Sequence, residues 1–195
     1  MAASSFYTVM KNRIRLLTLL LILLALAPTA FSQKRPPSFF NDKGACPFEC
    51  CTYRRWKTVR TTKLYERPDV RSRQVGSAVA GSRVRAVTGE VHTIPSRFIV
   101  KKKHERYQPG DVLWVYTYQG EGFFKVWFKG RMYQEELIFS PYGGSTGQRC
   151  EEKDQCWGEL DKELNSVWWI KIRLPNGRTG WTKEGNNFSG SDACG

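Results

Sequence analysis

The sequence predicts an all-β protein, and three features of the chain lead to this prediction. From Thr58 onward the chain is built of short runs that alternate apolar with polar residues, of which "TVRTTKLYE" (58–66) is the clearest. Glycine and proline interrupt these runs at close intervals, and "PNG" (175–177) is a hairpin signal. Many short strands at such spacing are typical of a small barrel or sandwich. A helical pattern outside the N-terminus is present only in residues 151–164, and it is weak.

The first 32 residues are predicted to be a secretory signal. Lys11, Arg13 and Arg15 precede an uncharged apolar run, and small residues follow it up to Ser32. The run is about 15 residues long, whereas a membrane-spanning helix needs about 20. We therefore expect cleavage, no transmembrane segment afterwards, and export to the periplasm or cell surface of a bacterium. Loss of three cations lowers the net charge from +13 to about +10.

The mature part divides into a linker and a domain. Residues 33–45 are rich in proline and polar residues, and they are predicted to be a linker. Residues 46–195 are predicted to form the β domain.

The cysteines predict disulfide bonds. All six lie in the exported part of the chain, at Cys46, Cys50, Cys51, Cys150, Cys156 and Cys194. Pairing of Cys150 with Cys156 would close a small loop. Pairing of Cys194 with one of the first three would join the two ends of the domain, which is worth ~4 kcal/mol on the loop-entropy model. A zinc site on the first three is the competing interpretation, although their spacing is not the paired CxxC pattern and no histidine is near.

Strand parity predicts which tryptophans face water. In Val167–Arg173, Trp168, Ile170 and Ile172 should share the core face, because successive side chains of a strand point to opposite sides. The same alternation over 123–129 predicts a second exposed aromatic strand face. The predicted ligand-binding residues are those on the two outward faces, namely Phe123, Lys125, Trp127, Trp169, Lys171 and Arg173. The alternative is that long basic side chains simply cover these rings.

Two segments resemble the bacterial SH3-like (SH3b) domain. They are "KLYERPDVRSRQVGSAVAGSRVRAVTGEV" and "WWIKIRLPNGRTGW", and the resemblance extends over about 59–91 and 166–188. It implies a small barrel of about five strands that binds peptides or cell-wall fragments through exposed aromatic residues. The long middle section, about 92–165, departs from the family. It either extends one barrel or belongs to a second, in which case two SH3-like subdomains would span about 59–137 and 138–195.

Motifs of catalysis are missing from the sequence, and we predict that the protein is not an enzyme and needs no cofactor. The only histidines are His92 and His104, and no phosphate loop, HExxH or GxSxG is present. Glu121 lies between two glycines, where a carboxylate more often caps a turn.

The predicted function is non-catalytic binding of a cell-wall polymer (peptidoglycan) or a peptide outside the cytoplasm. Basic proteins often bind nucleic acid, but export makes nucleic acid an unsuitable partner. Cell-envelope anions would be attracted instead, with an affinity that falls as salt rises. The alternative is a structural protein of the periplasm that binds a protein partner. The charge would then serve mainly for solubility.

Overall fold

The structure, a computed structural model, describes residues 35–139, 148–149 and 156–194. The predicted signal sequence and Cys150 lie outside these residues. The all-β prediction is confirmed, because the described chain consists of strands joined by turns, with one short 3-10 turn at Gly185–Asn187. Among the described residues, no helix has the length and apolar character needed to cross a bilayer.

The described strands, in chain order, are β1 Phe40–Lys43, β2 Arg55–Thr58, β3 Thr62–Tyr65, β4 Gln74–Ala78, β5 Arg83–Ile94, β6 Ser96–Val100, β7 Val112–Gly120, β8 Phe123–Phe128, β9 Arg131–Glu136, β10 Ile138–Phe139, β11 Gln148–Arg149, β12 Gly158–Leu160, β13 Asn165–Arg173, β14 Thr179–Thr182 and β15 Phe188–Ser189.

The first sheet curls into a half-barrel and contains strands from both ends of the chain. Its order is β15-β2-β5-β13-β14-β3-β4, with β1 added beside β5. The central pair is β5 with β13, which run antiparallel from Asn165 opposite Ile94 to Arg173 opposite Arg85. One irregularity in this register falls between Lys171 and Ile172. Both segments that resemble the SH3-like domain belong to this sheet.

The long middle section forms the second sheet. Its order is β11-β10-β12-β6-β7-β8-β9. The suggested subdomains 59–137 and 138–195 are therefore wrong, because β5 and β13 pair across that boundary. The predicted helix is wrong over its described part, since Gly158–Leu160 is a strand opposite Phe98–Val100. Pairing with a sheet edge outweighs a weak local preference for helix.

Each sheet has its own core, and alternation along the strands produces it. The first core consists of Trp56, Leu64, Ala78, Val84, Ala86, Ile170, Ile172 and Phe188. The second consists of Phe98, Val100, Tyr107, Leu113, Val115, Phe124, Val126, Phe128, Leu137 and Trp157.

The predicted linker, 33–45, is wrong over residues 40–43. Phe40–Lys43 is strand β1, which pairs with β5 in the register Phe40 to Thr93 and Lys43 to Glu90. This strand also contacts the second sheet. The Phe40 ring lies 5.0 Å from that of Tyr116, and Lys125 Nζ lies 2.7 Å from Asp42 Oδ1. The segment is ordered because its backbone extends one sheet while its side chains pack on the other.

Disulfides close the N-terminal part of the domain onto its C-terminus. Cys46 is bonded to Cys51 and Cys50 to Cys194. The prediction of disulfide bonds is confirmed, and of the pairings that the sequence left open the structure has the one in which Cys194 joins the two ends of the domain. Because the first three cysteines are all bonded, they offer no thiolates to zinc. Cys156 is also disulfide-bonded.

Gly89 allows the two central strands to pack under an aromatic cluster. A Cβ atom placed there would lie 2.6 Å from Trp168 Nε1 and 2.8 Å from Trp169 O, and it would also overlap the Tyr53 hydroxyl. Two of these groups form a hydrogen bond of 3.0 Å, from Trp168 Nε1 to Tyr53 Oη. Burial raises the pKa of Tyr53 to about 12, against the opposing effect of this hydrogen bond, so its hydroxyl stays protonated. That proton is donated to the carbonyl oxygen of Ala45.

We expect Gly89→Ala to lower the free energy of unfolding by about 2 kcal/mol, as overpacking of a core does. The matched control is Gly76→Ala, in another strand, where a Cβ would meet Leu174 Cδ1 at an ordinary 3.5 Å. Urea denaturation measures both variants. Equal stability of the two would contradict the close packing around Gly89.

Removal of each disulfide should cost stability that rises with the logarithm of the length of the loop it closes. The Cys50–Cys194 bond spans 144 residues and Cys46–Cys51 spans 5. On the loop-entropy model these correspond to about 5 and about 2 kcal/mol. The double variants Cys50→Ser/Cys194→Ser and Cys46→Ser/Cys51→Ser should therefore differ clearly in denaturation midpoint, with the first less stable. If the Cys46/Cys51 variant were the less stable of the two, loop closure by Cys50–Cys194 would not be the main source of the stabilisation.

Candidate functional site

The outward face of β13 and its neighbours is the face that the sequence pattern predicted. Ile170 and Ile172 are fully buried, whereas Arg173, on the other side of the strand, is exposed and Lys171 is half-buried. The alternation is confirmed for the end of the strand. The face that carries Trp169, Lys171 and Arg173 is called the outer face of the first sheet below.

Trp169 is a correction to the prediction, because it is buried with only 6 % of its surface exposed. Trp168 faces the first core as predicted, although it is half-buried rather than sealed. Trp169 lies opposite Glu90, itself buried, and its ring lies 6.4 Å from that of His92. This end of the outer face is therefore covered, and Trp169 is not available as a stacking platform.

At the covered end, the Glu90 carboxylate contacts two neighbouring side chains. One carboxylate oxygen lies 2.8 Å from His92 Nε2, and the other accepts a hydrogen bond of 3.2 Å from Asn41 Nδ2. The Phe39 ring packs edge-on against His92 at 5.3 Å. Glu90, the residue opposite Trp169, is thus paired within the protein.

At the other end of the outer face, three arginines stand side by side on adjacent strands. Arg55 of β2 is directly opposite Arg85 of β5, and Arg85 is directly opposite Arg173 of β13. These three residues are called the arginine row. All three are exposed, and no ion pair among the described residues involves any of them. Like charges placed directly opposite each other destabilise a sheet, so the row carries a cost that an anionic ligand would remove.

The row borders a groove of about 310 Å³. Arg83, two residues before Arg85 on β5, adds a fourth guanidinium. The apolar part of the lining comes from Val84, Leu174 and Pro175. The groove is therefore lined both by apolar residues, of which Val84 and Leu174 also pack on the first core, and by four arginines, whose guanidiniums can form paired hydrogen bonds to carboxylate or phosphate.

Trp181 provides the accessible aromatic ring that Trp169 does not. It lies on β14 directly opposite Lys171, whose Nζ is 5.7 Å from the ring centroid. Trp181 is half-buried. A diagonal step along the sheet connects it to Arg173, which lies opposite Thr179 on the same strand.

The other three predicted residues lie on the second sheet. Phe123, Lys125 and Trp127 are half-buried and alternate with the buried Phe124, Val126 and Phe128, so the parity is confirmed there. Lys125 is occupied by its ion pair with Asp42 and lines a separate cavity of about 300 Å³ between β1 and β7. The structure therefore does not assemble the six predicted residues into one site.

Trp127 has aromatic and apolar neighbours across its sheet. It lies opposite Trp114 on β7 and opposite Met132 on β9. Met132 is 40 % exposed, and Trp114 is half-buried. Trp114, Trp127 and Met132 form a short apolar row on the outer face of the second sheet.

The remaining candidates from the sequence are His104, Glu121 and the cysteines. His104 stacks on Trp157, with ring centroids 4.3 Å apart, and Glu121 is an exposed turn residue with φ 49°. Cys50, Asp192 and Cys194 lie close enough to hold a metal, but both sulfur atoms are in the disulfide and offer no thiolate.

The sequence pattern identified Arg173 and missed the other members of the row. Arg55 and Arg83–Arg85 stand in "RRWK" and "SRVRA", where cations alternate with Trp56 and Val84. That alternation indicates strands with one basic face. It does not say that the strands are neighbours, because the pairing of β2, β5 and β13 joins distant parts of the chain.

Comparison with protein-family models, with curated proteins and with solved structures found no match to this chain.

Trp169 and Trp181 should respond differently to truncation. We expect Trp169→Ala to lower the free energy of unfolding by about 3 kcal/mol or more, as is usual for buried tryptophan. Trp181→Ala, which removes a half-buried ring from the same face, should cost less. Denaturant unfolding followed by circular dichroism compares them. A smaller loss for Trp169→Ala would show that its ring is not part of the packed structure.

Proposed function

We propose that this protein is a non-catalytic binding protein that works outside the cytoplasm and holds an anionic cell-wall polymer on the outer face of its first sheet. The observation that carries the proposal is the arginine row. Three guanidiniums from distant parts of the sequence are brought into one line, without an acidic partner among the described residues.

The groove distinguishes the arginine row from a group of isolated surface cations, because several guanidiniums can contact one ligand there. Isolated surface cations contribute solubility and long-range attraction. Four guanidiniums that line one groove also offer several hydrogen bonds to one ligand. Because the groove is open, attraction there should weaken as salt increases.

The location outside the cytoplasm rests on two further features. Disulfide bonds persist in oxidising compartments, and the described cysteines are all bonded. The predicted signal sequence agrees with this. Together with the resemblance to bacterial SH3-like domains, these features favour the periplasm or cell surface of a bacterium and peptidoglycan, or a peptide, as the ligand.

A second candidate is a protein-interaction role without a wall ligand. It is favoured by the apolar row of Trp114, Trp127 and Met132, since partly exposed aromatic and methionine side chains are enriched at protein interfaces. This surface lies on the second sheet, so the two roles can be tested separately.

Retention on purified peptidoglycan sacculi tests the proposal. Wild-type protein should sediment with sacculi at low salt and be released at high salt. We expect Arg85→Gln and Arg173→Gln each to weaken retention tenfold or more, since a hydrogen bond to a charged group is worth about 1.5–3 kcal/mol.

The matched control is Lys63→Gln. Lys63 is an exposed cation of the same sheet, outside the groove, so this variant loses the same charge. It should bind nearly as well as wild type. Absence of retention, or an equal loss in Lys63→Gln, would contradict a site at the arginine row. Loss of a co-purifying protein on Trp127→Ala would support the second candidate.

A further inference from the structure

The arginine row has a direction, and the direction restricts the shape of its ligand. Arg55, Arg85 and Arg173 are in register across β2, β5 and β13, so their line runs perpendicular to the strands. Neighbouring strands are about 4.8 Å apart, which makes the row about 10 Å long between its outer residues. One compact anion could contact all three guanidiniums only if the long side chains converged on it. A linear ligand with repeated charges matches the row without such convergence.

The lining of the groove restricts the chemistry of the ligand. Leu174 is half-buried and Pro175 exposed, so apolar atoms of both are available beside the guanidiniums. A chain of phosphates presents only polar surface to such a lining. A sugar ring presents an apolar face of C–H groups, and an acidic sugar also has a carboxylate at its edge.

Trp181 lies beside the line along which a longer ligand would continue, which reaches β14 at Thr179. It is on β14, the next strand after β13, and is two residues along from the position opposite Arg173. An aromatic ring beside a line of cations suits a saccharide better than a bare polyanion, because the ring can pack against the sugar face while Lys171 stays near its charge.

From these three features we infer that the groove binds a linear acidic glycan that crosses the strands, with carboxylates on the arginine row and a sugar ring against Leu174 and Pro175. The inference rests on the proposed function and specifies its ligand class. No covalent step is involved. The ligand would also relieve the repulsion between Arg85 and its two neighbours.

Calorimetric titration of the oxidised protein with galacturonate oligomers of increasing length tests the inference. Each sugar of these oligomers has one carboxylate. The affinity should rise from monomer to about tetramer and then level off, because the row is about 10 Å long. Fully methyl-esterified oligomers, which keep the rings and lose the charge, should bind at least tenfold more weakly.

The salt dependence of glycan affinity, measured for wild type and for variants, tests whether the oligomer contacts the arginine row. If the oligomer touches all three arginines, the logarithm of the affinity should fall with the logarithm of salt concentration at a slope of about −2 to −3. Arg85→Gln should make this slope shallower by about 1. Lys63→Gln should leave it unchanged. Urea denaturation of both variants checks that each is folded, and Arg85→Gln should be no less stable than wild type because a repulsion is removed.

Three results would overturn the inference: affinity independent of length, equal binding of the acid and its ester, or tighter binding of inorganic polyphosphate of matched charge. If one of these results is found while sacculus retention still depends on Arg85, the proposed function stands and the arginine row binds another anion.

If the protein does not bind sacculi but binds glycans with the expected length dependence, the glycan site stands and the cell-wall function is contradicted.

Discussion

The antiparallel pairing of β5 with β13 is the constraint on which the rest of the structure depends. It joins Arg83–Ile94 to Asn165–Arg173, and both strands contribute side chains to the first core. It also places the two ends of the middle section next to each other, since Ile94 lies directly opposite Asn165. A long segment that starts and ends at one point can fold on itself without disturbing the sheet that it interrupts, and here it forms a second sheet with a separate core.

Strand β1 and the disulfides hold the two sheets and the chain ends in place. The backbone of β1 extends the first sheet beside β5, while Phe40 and Asp42 contact Tyr116 and Lys125 of the second. Asp42 is only 5 % exposed, whereas the Lys125 side chain is 33 % exposed, so loss of Lys125 would leave a buried carboxylate without its cation. Lys125 therefore has a structural role between the sheets, which explains why a residue with the sequence pattern of a surface cation is not free to bind a ligand.

The same alternation that builds the first core also concentrates charge outside it. Val84 and Ala86 face inward on β5, so Arg83 and Arg85 must face outward, and Trp56 and Ile172 impose the same arrangement on β2 and β13. The arginine row is the consequence of aligning three such strands. Its repulsion is tolerated because the apolar core beneath it and the closure by Cys50–Cys194 stabilise the sheet. Where Trp169 and Glu90 continue the same face, partners cover it, and this contrast leaves the groove as the open part of the face.

The sequence by itself determined the strand content, the sides of β8 and β13 on which residues lie, and the presence of disulfide bonds, because periodicity and cysteine content are local or compositional properties. Which cysteines pair was decided by the tertiary structure. The sequence also identified Arg173 and Lys171 as outward-facing. Only the tertiary structure decided which strands are neighbours, and hence that Arg55 and Arg85 join Arg173, that Lys125 is paired with Asp42, and that Trp169 is covered. The physical reason is that alternation specifies the side of a strand on which a residue lies, whereas exposure and proximity depend on contacts between segments far apart in the chain.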